Sequence, residues 1–432
     1  MPGDPTLPPM PSTGPIADYL QTPGKLTSRL AAISTRKQLQ NAVVGLQVAG
    51  HRLFAAIEAG QSRIDEAPRT PVAAGCLTKT LTATLAAEAV ASQQLDWDTE
   101  INAILRIEGR ERCGLGRITF NQLLNHTHGL DGSDIVQTPL TAAGWVDAPA
   151  LCHKLAARPL SSPGTLYSYS DTGARLTGAA LERLYGKPCG ELLGASEVIG
   201  STCAWGAAAL PVCPANGGGL ELTISQWLSF LDAHLRAGTP ATGPARRMAE
   251  LRAATVPLPG WSAAERAIAR GWKYYGGGWF GHNANMGDRS ALLRFNPQEA
   301  TAIVLAASGD GAFFALAGLF GTALPEFANL RPPRLLTAHE RNLLRIEQYP
   351  GIYTQSRMRI EVTALPANTL SLSIHSHESA DEPPRRLRPA QDHIFIPEPG
   401  GHPELPYVQF VSSPGSDHFD YLWNGKQLWR RD

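Results

Sequence analysis

A cysteine and a lysine three residues apart form the pair of side chains with the clearest chemistry. Cys76 opens the segment 77–91, whose apolar residues recur at helical spacing. Residues at i and i+3 share one face of a helix, so the thiol lies beside the ammonium of Lys79. A helix N-terminus and a nearby cation favour the reactive thiolate, whereas a desolvated Lys79 would act as a base. Taken alone, the same spacing also fits a buried structural cysteine beside a solvated lysine.

The elements around this pair indicate an α+β domain. Strand-like runs occur early and late in the chain, with helical stretches between them, which predicts a sheet closed by elements from both ends. The predicted strands are 42–50, 51–60, 276–281, 290–295 and 301–307. The predicted helices include 26–39, 77–91, 175–184, 224–236 and 312–323.

The two ends of the chain have a different texture. Residues 1–24 are rich in Pro and Gly and predict a flexible lead-in. After about residue 338 the chain becomes a series of short alternating runs separated by Gly, Pro, Asn and Asp. This pattern predicts a separate all-β module over 338–432, a small barrel or sandwich.

Composition excludes several classes of partner and site. Lys plus Arg and Asp plus Glu both number 38, so no basic excess points to nucleic acid or to an anionic membrane surface. The apolar run 301–324 is interrupted at 308–311, which predicts a strand, a turn and a helix rather than a membrane span. The six cysteines include no C-x-x-C pair, so we expect no metal site and no cofactor.

The N-terminus lacks a charged start followed by an apolar run, which predicts a cytoplasmic location. Free thiols are the default expectation in that compartment. A disulfide between Cys203 and Cys213 would require the fold to bring them together, which the sequence does not show.

Four segments, in order, carry a resemblance to a known family. They are AAGCLTKTLTATLAAEAVASQQLDWDTEI, ITFNQLLNHTHGLDG, SSPGTLYSYSDTGARLTGAALERLYGKP and GGGWFGHNANMGDRSALLRFNP. The first resembles the S-x-x-K active-site helix of the serine β-lactamase and penicillin-binding-protein superfamily, with Cys76 in the position of serine. The second resembles that superfamily's LL-x-HTSGL segment, with His128 in place of serine. The third resembles its Y-x-N motif, and the fourth its K-T-G or H-x-G motif.

The resemblance implies a fold and a domain division. We expect a catalytic domain over 25–332, with an antiparallel sheet flanked by helices plus a helical region. The β-rich module at 338–432 resembles the small lipocalin-like barrel that follows many esterase-like members of the superfamily.

The resemblance also implies roles for individual residues. Cys76 would attack an acyl carbonyl, Lys79 would act as base or proton relay, and Tyr169 would pass a proton between nucleophile and leaving group. His282 would face a substrate carboxylate or polar group and steady Tyr169. The oxyanion hole would consist of the backbone N–H groups of Cys76 and Asn285.

Further residues are candidates for the substrate pocket, namely Asp171, Asn283 and Trp279. The aromatic stripe that contains Trp279 fits core packing equally well. His126 and His128 are expected to shape a loop rather than to catalyse.

Three departures from the superfamily's pattern bear on function: cysteine at 76, aspartate at 171 and alanine at 284. A cysteine nucleophile forms a thioester, which is a good acyl donor. Asp171 adds negative charge that would keep Lys79 protonated or repel a substrate carboxylate. The methyl group of Ala284 adds bulk where substrate approaches the backbone. Together these changes argue against plain β-lactamase or cell-wall peptidase activity.

The resulting hypothesis is an acyltransferase, cyclase or hydrolase. It would act on a small-molecule ester or thioester, which is either free or bound to a carrier, and a role in natural-product biosynthesis is part of this hypothesis. The alternatives are a catalytically silent binding protein, a plain esterase or amidase, and a cysteine engineered from serine. The sequence leaves the oligomeric state open.

Overall fold

The computed structural model describes most of the chain. The residues described are 19, 22–108, 115–131, 141, 147–154, 159–200, 220–236, 243–262, 264–309, 312, 345–355, 358–376, 383–391, 393–398 and 407–432. In these residues, the model contains no helix long and apolar enough to cross a membrane.

The N-terminal domain is built on a nine-stranded antiparallel sheet with the strand order β3-β2-β1-β11-β10-β9-β8-β7-β6. Central strand β1 pairs with β2 on one side and with β11 on the other, so the two ends of the domain meet in its middle. The strands are β1 Asn41–Val48, β2 His51–Glu58, β3 Gln61–Ser62, β6 Val256–Pro257, β7 Ala267–Ile268, β8 Lys273–Gly276, β9 Trp279–Asn285, β10 Arg289–Asn296 and β11 Thr301–Ser308.

The two faces of this sheet are covered differently. Because side chains alternate along a strand, each strand contributes to two cores. One core lies under helix α1 and contains Leu26, Leu30, Val44 and Leu305. The larger core lies between the opposite face and the helical region, and Val43 belongs to it.

The helical region holds most of the helices of this domain. The helices are α1 Pro23–Lys37, α2 Thr78–Ala91, α3 Ile101–Leu105, α4 Phe120–Leu124, α5 Ala148–Lys154, α6 Thr172–Tyr185, α7 Cys189–Ala195, α8 Ile224–Leu235 and α9 Pro244–Ala253. Both α4 and α8 begin with a capping box, in which a threonine and a glutamine satisfy each other's backbone N–H groups. A short ladder of β4 Pro71–Ala73 and β5 Glu221–Thr223 leads into the segment that carries Cys76.

The C-terminal module is a closed eight-stranded antiparallel barrel. Its interior is filled by apolar side chains, including Tyr353, Ile360, Phe395 and Phe410. The strands are β12 Gly351–Gln355, β13 Met358–Leu365, β14 Thr369–Ser376, β15 Arg385–Gln391, β16 Ile394–Pro397, β17 Val408–Val411, β18 Tyr421–Trp423 and β19 Leu428–Arg431.

The barrel packs directly against the N-terminal domain. The carbonyl of Trp261 accepts hydrogen bonds from the Tyr407 hydroxyl at 2.6 Å and from the Trp423 indole at 3.2 Å. An apolar cluster crosses the contact and joins Tyr167 and Tyr169 to Trp423 and to neighbouring barrel residues. The barrel therefore shares a core with the loop that carries Tyr169.

The predicted α+β architecture is confirmed: an antiparallel sheet flanked by helices is followed by an all-β barrel. The strand predicted at 276–281 was placed wrongly, because Gly277 and Gly278 have positive φ and form the turn between β8 and β9. The expectation of free thiols is wrong for Cys189, which is disulfide-bonded. The predicted helix 312–323, Cys203 and Cys213 lie outside the described residues.

Candidate active site

A tight turn presents Cys76 at the start of α2. Gly75 adopts φ +45°, a conformation that L side chains rarely take. A methyl group at this position would lie 2.7 Å from the Met286 sulfur and 3.0 Å from the Ala284 Cβ. The chain therefore passes against β9 just before Cys76, and glycine is required there. Cys76 is half-buried and carries a free thiol.

Lys79 and Asp171 form a buried ion pair. The Lys79 Nζ lies 2.6 Å from the Asp171 Oδ1, and the lysine side chain is only 2% exposed. Lys79 lies in the first turn of α2, whereas Asp171 directly precedes α6. The departure from asparagine to aspartate at 171 thus supplies a counter-charge for the lysine, in line with one of the two expected effects.

Tyr169 lies beside Cys76 and is nearly buried. Burial raises the pKa of the Tyr169 hydroxyl well above its usual value, and the charges of Cys76 and Asp171 and a hydrogen bond with Cys76 raise it further. The hydroxyl therefore stays protonated at neutral pH and acts as a donor toward Cys76. A phenolate base, as in a full proton shuttle, is disfavoured in this environment.

His282 faces the same site from β9. Burial lowers the pKa of His282 well below its usual value, and the nearby Lys273 and Lys79 charges lower it further. Its Nδ1 lies 2.9 Å from the Asn283 carbonyl, which accepts hydrogen bonds and does not donate them. Nδ1 therefore carries the proton, and Nε2 is left as an acceptor. The ring is neutral and lies 6.2 Å, centroid to centroid, from Tyr169.

Two of the pocket candidates point away from the site. Alternation along β9 places the Asn283 and Trp279 side chains on the face opposite to that of His282. Asn283 accepts a hydrogen bond from the Tyr275 hydroxyl at 3.4 Å, and Trp279 is buried in the core under α1. Trp279 is therefore corrected from a pocket candidate to a residue of that core, and Asn283 to a half-buried residue on the same face of β9.

The proposed oxyanion donors belong to segments that lie close together. Strand β8 pairs with β9 as far as Gly281, so the edge that follows is free of β8. Ala284 on this edge approaches Gly75, which precedes Cys76. The oxyanion hole made by the N–H groups of Cys76 and Asn285 stays a prediction.

A second buried ion pair lies next to the site and was missed from the sequence. Lys273 on β8 contacts Glu265 at 2.9 Å, and its Nζ lies 6.0 Å from the Tyr169 ring centroid. Burial opposes the charge on Lys273, but Glu265 overrides this effect and raises the pKa of the lysine. A lysine within the aromatic run WKYYGGGWF was the available signal, because a charge in such a run needs a partner.

The barrel also contributes a residue that sequence reasoning missed. Lys426, in the turn between β18 and β19, places its Nζ 4.7 Å from the Tyr169 ring centroid. The Lys426 carbonyl accepts a hydrogen bond from the Tyr169 N–H at 2.9 Å. Nothing in the local sequence NGKQ signals this role, because the contact depends on how the barrel docks.

The histidines at 126 and 128 shape the loop, as expected. His126 Nδ1 accepts a hydrogen bond from the Ser170 N–H, and His128 Nδ1 accepts one from the Leu130 N–H. Burial lowers the pKa of both rings, that of His128 to about 4, so both are neutral. Among the residues described, no group of three His, Cys, Asp or Glu side chains could hold a metal ion.

The arrangement unites a thiol, a protonated phenol, an ion-paired lysine and a neutral histidine at the junction of a helix and a sheet edge. Such a set is suited to acyl transfer through a covalent intermediate, because a nucleophile and a proton donor lie together. Fold and site thus define a β-lactamase-like class of protein.

Comparison with known proteins agrees with this class. Residues 26–198 match the Beta-lactamase family model. The match covers less than half of the chain and places the segment 26–198 in a β-lactamase-like domain. Two fimbrial assembly proteins named FimD, of serogroups D and H1 from Dichelobacter nodosus, are each 31% identical to it over 112 residues. The match covers 26% of this chain and 28% of the length of each relative.

Solved structures show the same fold. A crystal structure of SurE with D-Leu has a TM-score of 0.75 at 22% identity, and the match covers 95% of this chain and 99% of SurE. A D-stereospecific amidohydrolase from Streptomyces sp. has a TM-score of 0.53 at 17% identity, over 71% of this chain and 98% of that enzyme. D-alanine carboxypeptidase AmpC from Burkholderia cenocepacia has a TM-score of 0.51 at 18% identity, and the match covers 70% of this chain and 100% of that enzyme.

Proposed function

We propose that this chain is a cysteine-nucleophile acyl-transferring enzyme that forms a covalent acyl-thioester on Cys76. The observation that carries the proposal is the packing of the free Cys76 thiol against the cluster that contains Tyr169, beside the Lys79–Asp171 ion pair, whose Nζ lies 5.0 Å from the Tyr169 ring centroid. A free, half-buried thiol with a proton donor and cations around it is the environment of a reactive cysteine.

The first step is an exchange of one acyl bond for another. The Cys76 sulfur attacks the acyl carbonyl and forms a carbon–sulfur bond, while the bond to the leaving group breaks. The thiol proton ends on the leaving group, with the Tyr169 hydroxyl as the hydrogen-bonding relay. In the second step an amine, a hydroxyl, a carbon nucleophile or water attacks the thioester and releases Cys76.

The use of cysteine fits the state of the other side chains. Lys79 is engaged with Asp171, Tyr169 holds its proton, and the neutral His282 offers Nε2 as an acceptor. A serine nucleophile would need a strong base in this site, whereas a thiolate attacks without one. We infer that the cysteine and the aspartate are complementary changes.

The substrate is an acyl ester or thioester of a small molecule, free or bound to a carrier. Among the structural neighbours, SurE was crystallised with D-Leu, a second is a D-stereospecific amidohydrolase, and a third is a D-alanine carboxypeptidase. We propose that the acyl group transferred to Cys76 ends in a D-amino acid residue. Release of a peptide-type natural product, by transfer or cyclisation, is the process that such an enzyme would serve.

Plain hydrolysis is the second candidate. It is favoured because the neighbours include an amidohydrolase, a carboxypeptidase and class C β-lactamases. Product analysis with and without amine acceptors separates the two: a transferase yields an amide, and a hydrolase yields the free acid in both cases.

Intact-mass spectrometry tests the covalent step. The protein is incubated with N-acetyl-D-leucyl and N-acetyl-L-leucyl thioesters of N-acetylcysteamine, alongside Cys76→Ala. The proposal expects a mass gain equal to the acyl group, faster with the D-isomer and absent in Cys76→Ala. No adduct and no consumption of either donor would remove the proposal in favour of a silent binding protein.

A further inference from the structure

Three ammonium groups surround the ring of Tyr169, and their charges are not equally balanced. The Nζ atoms of Lys79, Lys273 and Lys426 lie 5.0, 6.0 and 4.7 Å from the ring centroid. Lys79 is paired with Asp171, and Lys273 with Glu265. In the part of the chain that the structure describes, no carboxylate lies within ion-pair distance of Lys426. Among the described residues, these three ammonium groups are therefore matched by only two paired carboxylates when Cys76 is uncharged.

Lys426 is surrounded by protein, yet its side chain remains accessible to solvent. Desolvation lowers the pKa of Lys426, whereas negative charge on Cys76 opposes that shift. Acylation turns Cys76 into an uncharged thioester, so an anion of the substrate can then become the partner of Lys426.

The turn holds Lys426 firmly in place. The Asn424 side chain accepts hydrogen bonds from the N–H groups of Lys426 and Gln427, at 3.0 and 2.8 Å. The Lys426 carbonyl is bonded to the Tyr169 N–H, and the Ser168 hydroxyl accepts from the Leu428 N–H at 3.2 Å. These bonds tie the β18–β19 turn to the active-site loop, so the ammonium is positioned from both sides.

Lys426 lies on the side of the site where the leaving group of the substrate is expected. In the proposed mechanism the Tyr169 hydroxyl donates its hydrogen bond on the side of the group that leaves or enters, so a cation beside Tyr169 lies on that side of the acyl carbonyl. His282 does not supply this positive charge, because its ring is neutral. Lys426 is therefore the cation available to a substrate on the leaving-group side.

We infer that Lys426 forms an anion subsite for a carboxylate on the group exchanged at Cys76, the leaving group in acylation and the acceptor in transfer. The inference rests on the proposed function and adds the chemical class of the exchanged group. The barrel thereby takes part in substrate recognition. By reversibility, the acceptor occupies the same place that the leaving group vacates.

Two thioesters that differ in one group test this subsite. Both carry the N-acetyl-D-leucyl group; one has β-mercaptopropionate as the leaving thiol and the other has its carboxamide. Acylation of Cys76 is followed by intact mass, and the ratio of kcat/KM between the two donors is measured. We expect the carboxylate donor to be preferred roughly 10-fold or more, as for a hydrogen bond to a charged group.

Variants at 426 connect the preference to this residue. Lys426→Met should abolish the preference, and Lys426→Arg should retain it. Arg430→Met is the matched control, because the half-buried Arg430 also lies on the barrel but donates to the Pro159 carbonyl; it should keep the preference. The ratio compares two donors on one protein, so a partial loss of folded enzyme does not alter it.

The outcomes separate the subsite from the proposed function. No preference in the unchanged protein, or a preference that survives in Lys426→Met, would overturn the subsite while acylation by both donors upholds the proposed function. Failure of both donors to acylate Cys76 would contradict the subsite and the proposed function together.

Discussion

At the scale of single residues, the site is defined by how protons are held. Tyr169 retains its proton because burial and the charges of Cys76 and Asp171 raise its pKa. His282 lacks a second proton because burial and two lysines lower its pKa. With Lys79 ion-paired, the side chains around Cys76 stabilise charge better than they remove a proton. A thiol suits this site because its anion forms more readily than an alkoxide.

Replacement of Cys76 by serine tests this view. Cys76→Ser should lower the rate of acylation by about 100-fold or more, the typical contribution of a general base that this site lacks. The measurement is kcat/KM with a single thioester donor, with Cys76→Ala as the background. A serine variant within a few-fold of the unchanged protein would show that Lys79 acts as a base despite Asp171.

The Glu265–Lys273 pair predicts an acid-labile contribution to stability. Burial opposes ionisation of Glu265, but Lys273 overrides it and lowers the pKa of Glu265 from 4.5 to about 2. Because the folded-state pKa is depressed, the stabilisation is complete above pH 4.5 and is lost as pH falls toward 2. This ion pair contributes up to about 3 kcal/mol to the free energy of unfolding.

Denaturant unfolding between pH 6 and pH 3 measures this contribution. The control is the double variant Glu265→Gln/Lys273→Met, which removes both charges together and should show a shallower loss of stability with acid. Equal slopes for the variant and the unchanged protein would contradict the assignment.

At the scale of elements, the site is the meeting point of α2, α6, β9 and the Tyr169 loop. The Lys79–Asp171 pair joins the first turn of α2 to the start of α6. Breaking a buried ion pair by removing one partner costs about 3–5 kcal/mol, because the other charge is left uncompensated. The pair therefore fixes how the two helices meet.

A double-mutant cycle measures this coupling. Asp171→Ala should destabilise the protein more than the combined Asp171→Ala/Lys79→Met, because the double variant leaves no buried ammonium. Free energies of unfolding for the four proteins provide the comparison. Additive effects of the two substitutions would mean that the ion pair does not connect the helices.

The turn before Cys76 leads to a prediction about backbone. Gly75→Ala should cost about 1–3 kcal/mol from its positive φ and should slow acylation, because the added methyl meets Met286. Gly75→Ala/Met286→Ala relieves part of the contact, and we expect partial recovery of the acylation rate. If the double variant is no faster than Gly75→Ala, the φ strain accounts for the loss.

Local patterns predicted the elements well where periodicity or a motif was strong. Helix α2, strands β1 and β2 and the barrel all follow from apolar spacing and turn residues in the sequence. The prediction that Asn283 and Trp279 line the pocket was wrong. The resemblance identified the β9 segment but did not show which of its side chains face the site. Lys426 could not be predicted, because its position follows from the docking of one domain on another.

At the scale of the whole molecule, the two domains share a core. The cluster that contains Tyr169 also contains Trp423, and hydrogen bonds to the Trp261 carbonyl cross the same boundary. A barrel attached by such a contact can hold the Lys426 side chain beside Tyr169. The barrel's own interior is a different cluster, which includes Trp429.

Two tryptophans separate docking from barrel stability. Trp423→Ala should lower both stability, by about 3–5 kcal/mol, and the preference for a carboxylate leaving group, because the Lys426 turn loses its support. Trp429→Ala removes a similar volume inside the barrel and should lower stability alone. Thermal unfolding and the donor ratio are measured on both. Equal effects on the donor ratio would argue against a specific role for the docking contact.

The pairing of β1 with β11 has a consequence for how the enzyme is made. Asn41 lies opposite Ser308, 267 residues further along the chain, so the central pair of the sheet cannot form until the whole domain has been synthesised. Contacts of such sequence separation form slowly. During that interval the β1–β2 hairpin exposes an unpaired edge, which favours aggregation. The nascent chain would therefore gain from a chaperone, and Lys273 and Lys426 would join the site of Cys76 and Lys79 late in folding.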